Sequence, residues 1–224
     1  MKQLIKYFLK KLGYELRPLN LNGASNSIEY NHFKRVDAFY SNDQLTQDYI
    51  KINVSLHIKN LFTLLDTQKI DLNNKTVIDI GCGTGHALKE LGVRYPAAKL
   101  QGTEFSEAAI KLATNIAPGI PVYHMDLTLD ATSGEFDVVL CQQVLEHIID
   151  ADVALGNLWK ITARGGVLII TIPDGRLDSF SGHIHFWSKE GFTIFLQKNV
   201  PVTMGVNVGH MQDGLSLYAI IYKQ

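Results

Sequence analysis

Three glycines at alternate positions, Gly81, Gly83 and Gly85, are the most informative residues for chemistry. They follow the apolar run 77–80, which carries one acidic residue, Asp79, and this order predicts a buried strand that turns sharply into a helix. Glycine permits backbone conformations in which a side chain would clash, and it lets a ligand approach the main chain closely. A turn that enters a helix also points unpaired N–H groups at a ligand. The pattern therefore predicts a cofactor site, and a glycine-rich turn without a ligand is the alternative.

The spacing of these glycines differs from that of a dinucleotide-binding turn. A G-x-G-x-x-G fingerprint would need glycine at the position of His86, whereas the third glycine here comes one residue earlier. Glu104 lies 23 residues after Gly81, near the spacing at which an acidic side chain can accept hydrogen bonds from both ribose hydroxyls. Its alternative role is a helix N-terminal charge favoured by the helix dipole.

The elements that must hold these residues alternate along the chain. Strands are predicted at 75–80, 99–103, 121–124, 136–141 and 167–172, with helices at 84–94, 106–113 and 150–162. The alternation implies parallel strands with helices on both faces, and strands at about 201–207 and 215–222 predict an antiparallel C-terminal hairpin. The predicted fold is a doubly wound α/β domain with a mostly parallel seven-stranded sheet.

The segment before the first strand is predicted to be helical and loop-like. Residues 14–40 are polar and irregular, which predicts a loop or lid. The pattern Ser41-x-x-Gln44 resembles a capping box at the start of a long helix that ends near Asp66. The expected division is an N-terminal helical and lid segment at 1–72 and a cofactor-binding core at 73–224.

Composition excludes several classes of protein. The chain has 224 residues, 46% hydrophobic and 19% charged, with a formal net charge of -1, so it lacks the basic excess of a nucleic-acid-binding protein. Cys82 and Cys141 have no C-x-x-C spacing and are expected to be reduced, which favours a cytoplasmic protein. The lysine-rich N-terminus is typical of a short amphipathic helix that packs on the domain or on a second subunit, and contact with a membrane surface is the alternative.

The glycine run, Glu104, and Asp126 after the third strand resemble, in this order, the landmarks of class I S-adenosylmethionine-dependent methyltransferases. The string Val144-Leu145-Glu146-His147 is similar to a signature of small-molecule methyltransferases, including those of ubiquinone and menaquinone pathways. The resemblance covers about 75–225. It implies a Rossmann-like methyltransferase fold, S-adenosylmethionine as the cofactor and S-adenosylhomocysteine as the product. The cofactor contacts that it implies are Asp79, Gly81, Cys82, Gly83, Gly85, Glu104, Phe105, Asp126, Leu127 and Gln142.

A hydroxyl acceptor would benefit from a general base, and histidine is the usual candidate near neutral pH. His147 follows the fourth predicted strand, and His183 and His185 lie in the loop after the fifth, which is similar to an acceptor-pocket segment of the family. We predict catalytic roles for His147 and His185, with surface or capping roles as the alternative. His210 is placed in the turn between the last two strands, where a surface role is favoured.

The resemblance also limits the acceptor. Cys141-Gln142-Gln143 replaces the segment by which amino-methylating DNA enzymes are known, and a small molecule is therefore expected. The predicted reaction is O-methylation of a sugar, a nucleotide sugar or another hydroxylated metabolite. A lipophilic quinone precursor and a non-catalytic cofactor-binding protein are the alternatives. No required metal is predicted, because Gln143 stands where some quinone-pathway relatives have a carboxylate. The oligomeric state is left open.

Overall fold

The computed structural model describes residues 31–129, 134–201 and 205–224. In these parts seven strands form one sheet: β1 (Thr76–Ile80), β2 (Lys99–Glu104), β3 (Val122–His124), β4 (Phe136–Gln142), β5 (Thr162–Pro173), β6 (Asn207–His210) and β7 (Ser216–Tyr222). Their spatial order is β3-β2-β1-β4-β5-β7-β6. The first five strands pair in parallel, whereas β7 is antiparallel to both of its neighbours. The predicted fold class is confirmed.

The described helices are α1 (Phe33–Tyr40), α2 (Asp43–Tyr49), α3 (Ser55–Thr67), α4 (His86–Arg94), α5 (Glu107–Ile116), α6 (Ala151–Ile161) and α7 (Lys189–Asn199). A five-residue π-helical segment, Ile50–Val54, joins α2 to α3. Such wide turns are rare and are frequently found at functional sites. None of the helices in the described ranges is long and apolar enough to cross a membrane.

The core lies on both faces of the sheet, because the central strands are buried on both sides. Alternate residues of β1 show this: Ile78 packs on the face covered by α6 and α7, and Val77 packs on the face covered by α3 and α4. Burial on both faces explains why β4 and β5 read as continuous apolar runs rather than alternating ones. Parallel pairing brings the carboxyl ends of β1, β2, β3 and β4 to one edge, where the predicted cofactor residues lie.

Two expectations for the N-terminal part need correction. Residues 33–40, predicted as part of a loop, form α1; the rest of the predicted loop up to residue 30 lies outside the described residues. The helix that follows is capped by Asn42, whose side chain accepts a hydrogen bond from the Leu45 backbone, and not by Ser41. The division at residue 72 stays a prediction.

Two expectations for the C-terminal part also differ from the structure. Strand β5 begins at Thr162, five residues before the predicted start, and its pairing with β4 shifts register between Phe136 and Val138. Strand β6 begins at Asn207 instead of about 201, and it includes His210, which was expected in the turn. A pattern of apolar residues does not locate either strand start, because the start of β5 pairs irregularly with β4 and because β6 is polar.

Candidate active site

The glycine turn after β1 requires glycine for both conformation and space. Gly81, Gly83 and Gly85 have φ angles of 70°, 53° and 77°, in the left-handed region that other residues rarely adopt. A Cβ atom on Gly81 would lie 2.5 Å from a Val144 methyl, and one on Gly85 would lie 2.8 Å from the Cα of Ala113. A Cβ on Gly83 would meet only the Tyr40 hydroxyl, at 3.3 Å. The turn therefore forms a cradle open to a ligand at Gly83 and closed by packing at Gly85.

Glu104, the last residue of β2, organises this turn. Its carboxylate accepts hydrogen bonds from the Gly83 amide at 2.9 Å and from the Phe105 and Ser106 amides at 2.7 and 3.0 Å. Only 7% of the residue is exposed. Burial raises the pKa of Glu104, and the three amide hydrogen bonds oppose this rise. An acceptor is thereby held at the mouth of the glycine turn.

Asp79 lies beside it at the end of β1. It is 2% exposed, and one of its carboxylate oxygens, Oδ1, has no hydrogen-bond partner. Burial raises its pKa to about 7, while the Gln142 side chain lowers it and the nearby Glu104 raises it further. A buried acceptor without a donor is uncommon in folded proteins and marks a place for a polar ligand group.

The remaining predicted cofactor residues lie around a second part of the same cavity. Asp126 accepts hydrogen bonds from the Thr128 amide and hydroxyl at 2.9 and 2.7 Å, and Leu127 is buried beside it. The Phe105 ring stacks on His124 with the ring centres 6.3 Å apart. Nine of the ten predicted cofactor residues line one cavity of about 1400 Å³. Gly85 is the exception, because it packs against α5 behind the turn.

Helix α1 covers the cofactor side of this cavity, which the sequence did not indicate. Asp37 accepts hydrogen bonds from the Ser106 hydroxyl and the Ala108 amide, both at 2.8 Å, at the start of α5. These bonds lower its pKa, led by the one from Ala108. Phe33 packs edge-on against Phe105, and Tyr40 reaches Gly83. No local pattern reveals these contacts, because each one joins residues about 40 to 70 positions apart.

The histidines named from sequence occupy different environments. His147 and His183 line the cavity, and their ring centres lie 4.6 Å apart. The Nε2 atom of His185 hydrogen-bonds to the Ile148 carbonyl at 2.8 Å, and its ring stacks on Trp187 outside the cavity lining. His210 contacts Asp174 at the sheet edge. These positions favour His183 over His185 as a base that could reach an acceptor.

His183 has an acidic partner that the sequence analysis missed. Its Nδ1 atom lies 2.5 Å from Oδ2 of Asp178, and the two side chains are 13% and 8% exposed. Burial opposes ionisation of Asp178, but the hydrogen bonds from His183 and the Phe180 amide outweigh it, so its pKa lies below the ordinary value. A carboxylate on one ring nitrogen leaves the other nitrogen as a proton acceptor. The spacing of these two loop residues does not predict that they pair, because many other polar residues in loops are spaced in the same way.

Glu146 and His147 are buried next to this pair. Neither carboxylate oxygen of Glu146 has a hydrogen-bond partner, nor does the Nδ1 atom of His147. Burial raises the pKa of Glu146 to about 8 and lowers that of His147 to about 4, so both groups are mostly uncharged near pH 7. Ligand atoms of Glu146, His147 and His183 lie within 4.8 Å of one another and could hold a metal ion. The third member was missed because it comes from a distant loop.

The match to a known protein family comes from residues 56–199, which fit the model of the methyltransferase domain. The chain belongs to the methyltransferase-domain family. The segment spans the sheet from β1 to β5 with the helices between α3 and α7. The expectation of a class I S-adenosylmethionine-dependent methyltransferase is confirmed.

Among curated relatives, this methyltransferase is similar to a trans-aconitate 2-methyltransferase of Variovorax paradoxus, with 33% identity over 101 residues. That segment covers 45% of this chain and 39% of the relative. A ubiquinone biosynthesis O-methyltransferase of Psychrobacter cryohalolentis is 29% identical over 126 residues, which cover 51% of this chain and 48% of that one. The matches thus span less than half the length of each relative.

Solved structures share the fold of this methyltransferase at low sequence identity. The N-methyltransferase NodS of Bradyrhizobium japonicum has a TM-score of 0.65 at 20% identity, covering 86% of this chain and 98% of that one. Magnesium protoporphyrin IX methyltransferase of Synechocystis has a TM-score of 0.63 at 20% identity, covering 90% and 100%. These two methyltransferases have different names but share one fold, so the fold does not identify the acceptor.

Proposed function

We propose that this methyltransferase transfers a methyl group from S-adenosylmethionine to a hydroxyl group of a small acceptor. The observation that carries the proposal is the His183–Asp178 pair, which lines the same cavity as the glycine turn. An amine acceptor is already nucleophilic once unprotonated, whereas a hydroxyl benefits strongly from a base. A histidine held by a carboxylate therefore favours oxygen as the methylated atom.

The residues around the glycine turn fit the cofactor. The backbone cradle at Gly81 and Gly83 leaves room that a Cβ atom would fill, and the unpaired Asp79 oxygen is an acceptor for a polar or cationic group. In our proposal Glu104 accepts hydrogen bonds from the ribose, and Asp126 accepts one from the adenine. Phe105 and Leu127 would provide apolar contacts to the ring. Cys82, Gly83 and Gln142 would line the amino-acid part.

The chemistry divides between the cofactor and the chain. Bound S-adenosylmethionine supplies a methyl group made electrophilic by the adjacent sulfonium sulfur. His183 accepts the proton of the acceptor hydroxyl on Nε2 as the oxygen becomes nucleophilic. Asp178 keeps the ring in the required tautomer and stabilises the positive charge that the ring gains. The cavity walls hold the acceptor in line and exclude water.

The predicted catalytic role of His147 is less well supported than that of His183. Its pKa of about 4 makes it a weak base, because burial and the neighbouring His183 both oppose its protonation. We assign it a positioning role instead, since its ring packs edge-on against His183. The alternative of a non-catalytic cofactor-binding protein would require that the His183–Asp178 pair has no acceptor to act on.

The proposed function predicts S-adenosylhomocysteine release that depends on a hydroxylated acceptor. The purified protein is incubated with S-adenosylmethionine labelled in the methyl group and a pool of phenols, aliphatic alcohols and free sugars. We expect label in a methyl ether, identified by mass spectrometry. Label found on nitrogen of a parallel amine pool, with none on oxygen, contradicts O-methylation. Cofactor binding without any transfer supports the non-catalytic alternative.

A second prediction concerns metal ions. We expect the activity to persist after dialysis against EDTA, because the His183–Asp178 pair supplies a base without a metal. The measurement compares initial rates of EDTA-treated enzyme before and after addition of Mg²⁺, Mn²⁺ or Zn²⁺. A loss of activity of at least about tenfold, which one ion restores in the wild-type protein but not in Glu146→Gln, would assign a metal to Glu146, His147 and His183.

A further inference from the structure

The cavity is acidic, which bears on the acceptor. Its described lining includes the carboxyl side chains of Asp48, Asp150, Asp178 and Asp213, in addition to those at the cofactor residues. Among the described residues that line it, Arg35 is the single lysine or arginine. The cofactor itself carries a positive sulfonium, which this arrangement suits. This acidic lining would repel an anionic acceptor, whereas it would not repel a neutral or cationic one.

Two of these carboxylates are fixed in place by hydrogen bonds from the chain. Asp178 is paired with His183 as described. Asp213 accepts hydrogen bonds from the Leu215 and Ser216 amides at 2.8 and 3.0 Å and from Asn60 at 2.6 Å. Burial opposes its ionisation, but these bonds outweigh that effect and lower its pKa. The hydrogen-bond donors to both carboxylates belong to the chain. Neither carboxylate therefore needs a contact with the bound acceptor molecule.

Exposed apolar side chains line the same cavity on three separate segments. Ile52, in the π-helical segment, is 70% exposed; Leu177 and Phe180, in the loop after β5, are 54% and 43% exposed; Leu215, before β7, is 55% exposed. We call these four residues the apolar rim. Single exposed apolar residues are ordinary, but four that line one catalytic cavity from three segments indicate apolar surface to be covered by a ligand.

We propose that the acceptor is an uncharged or cationic hydroxyl compound with an apolar body that packs on the apolar rim, and that anionic acceptors such as nucleotide sugars, sugar phosphates and polycarboxylates are excluded. This inference rests on the proposed function, because it places the acceptor hydroxyl at His183. It narrows the range of possible acceptors from any hydroxylated metabolite to uncharged or cationic hydroxyl compounds with an apolar body. The occupant is a small molecule, since the rim surrounds a cavity that also contains the cofactor turn.

The test uses three phenols of similar size that differ in charge. These are 4-propylphenol, 3-(4-hydroxyphenyl)propanoate and tyramine, each titrated into the protein loaded with S-adenosylhomocysteine and followed by ligand-observed NMR. We expect the propanoate to bind at least about tenfold more weakly than the other two at low salt, with the gap narrowing at high salt. Equal or tighter binding of the propanoate, or no binding of any of the three, contradicts the inference.

Variants separate charge from shape. Asp48→Asn combined with Asp150→Asn removes two exposed cavity carboxylates, and we expect the disadvantage of the propanoate to shrink by about threefold or more. Asp152→Asn is the matched control, because this exposed residue lies two positions from Asp150 and outside the lining. An unchanged ratio in the double variant, or an equal change in the control, contradicts the role of cavity charge.

The apolar rim is tested with a chain-length series. From 4-methylphenol to 4-propylphenol we expect affinity to rise by up to about fourfold per methylene. Leu177→Ser should flatten this rise, and Val93→Ser should not, because Val93 is 72% exposed but lies outside the cavity lining. A flat series in the wild-type protein contradicts the inference. Correct binding without methyl ether formation would instead count against the proposed O-methylation alone.

Discussion

His183→Ala will lower kcat by about 10² to 10⁴-fold while the S-adenosylmethionine Kd stays within about threefold of the wild-type value. The loss is large because the acceptor hydroxyl then loses its proton acceptor, and the neighbouring His147 is a weak base because burial lowers its pKa to about 4. The Kd for S-adenosylmethionine is preserved because His183 lies in the loop after β5 and makes no contact with the glycine turn in our assignment. Single-turnover rates and calorimetric titration of the cofactor measure the two quantities.

Two further variants distinguish the base from a structural histidine. Asp178→Asn should also lower kcat, because it removes the carboxylate that orients His183. The pH profile of the remaining rate should shift, because the ring loses the negative charge that stabilises its protonated form. His185→Ala should keep kcat within about threefold but lower the melting temperature, because it loses the Ile148 hydrogen bond and the Trp187 stack. Undiminished turnover in His183→Ala with a loss in His185→Ala would restore the original prediction from sequence.

Glu104→Gln will raise the Kd for S-adenosylmethionine by about 10- to 100-fold. An amide has one acceptor oxygen in place of the carboxylate's two, so its NH₂ group would face either the Gly83 amide or the Phe105 and Ser106 amides. The variant therefore loses the charged acceptor for the ribose and leaves a buried donor without a partner. The measurement is calorimetric titration combined with thermal unfolding in the absence of ligand.

The matched control for this prediction is Glu107→Gln. Glu107 is an exposed carboxylate in the first turn of α5, three residues from Glu104, and it is not part of the cavity lining. We expect the Kd of the Glu107→Gln protein for S-adenosylmethionine to remain within about twofold of the wild-type value. A Glu104→Gln protein that is folded and binds the cofactor within about threefold of the wild-type affinity would disprove the assignment of this residue.

The order of strands and helices could be predicted from sequence because it is encoded locally. Apolar runs such as those of β1 and β4 are buried on both faces of a parallel sheet, and their composition alone indicates this. The turn at Gly81 and Gly83 was also predictable, since left-handed backbone conformations leave glycine as the favoured residue. The register shift in β5 was not predictable, because a β-bulge depends on the partner strand.

The difference between locally encoded features and features that depend on distant residues also separates the two halves of the site. Nine of ten predicted cofactor residues reached the cavity because each one follows a strand, and parallel strands bring their carboxyl ends together. The acceptor half comes from loops, where Asp178 and Asp213 gave no periodic signal. The cover over the glycine turn comes from α1, where Asp37 and Tyr40 gave none either. Side-chain pairs such as His183–Asp178 depend on loop conformation, which is set by tertiary contacts and not by spacing.

By itself, the sequence determined the fold class, the methyltransferase family and the strand ends at which the cofactor contacts are predicted. The fold class and the strand ends follow from short-range rules, namely the periodicity of apolar residues and the conformational freedom of glycine, whereas the family follows from the resemblance of the motifs. The tertiary structure alone decided that His147 and His183, but not His185, line the cavity, that α1 is anchored to α5 by Asp37, and that the cavity is acidic with an apolar rim. These depend on residues far apart in the chain, whose proximity arises only when the sheet and its loops are assembled.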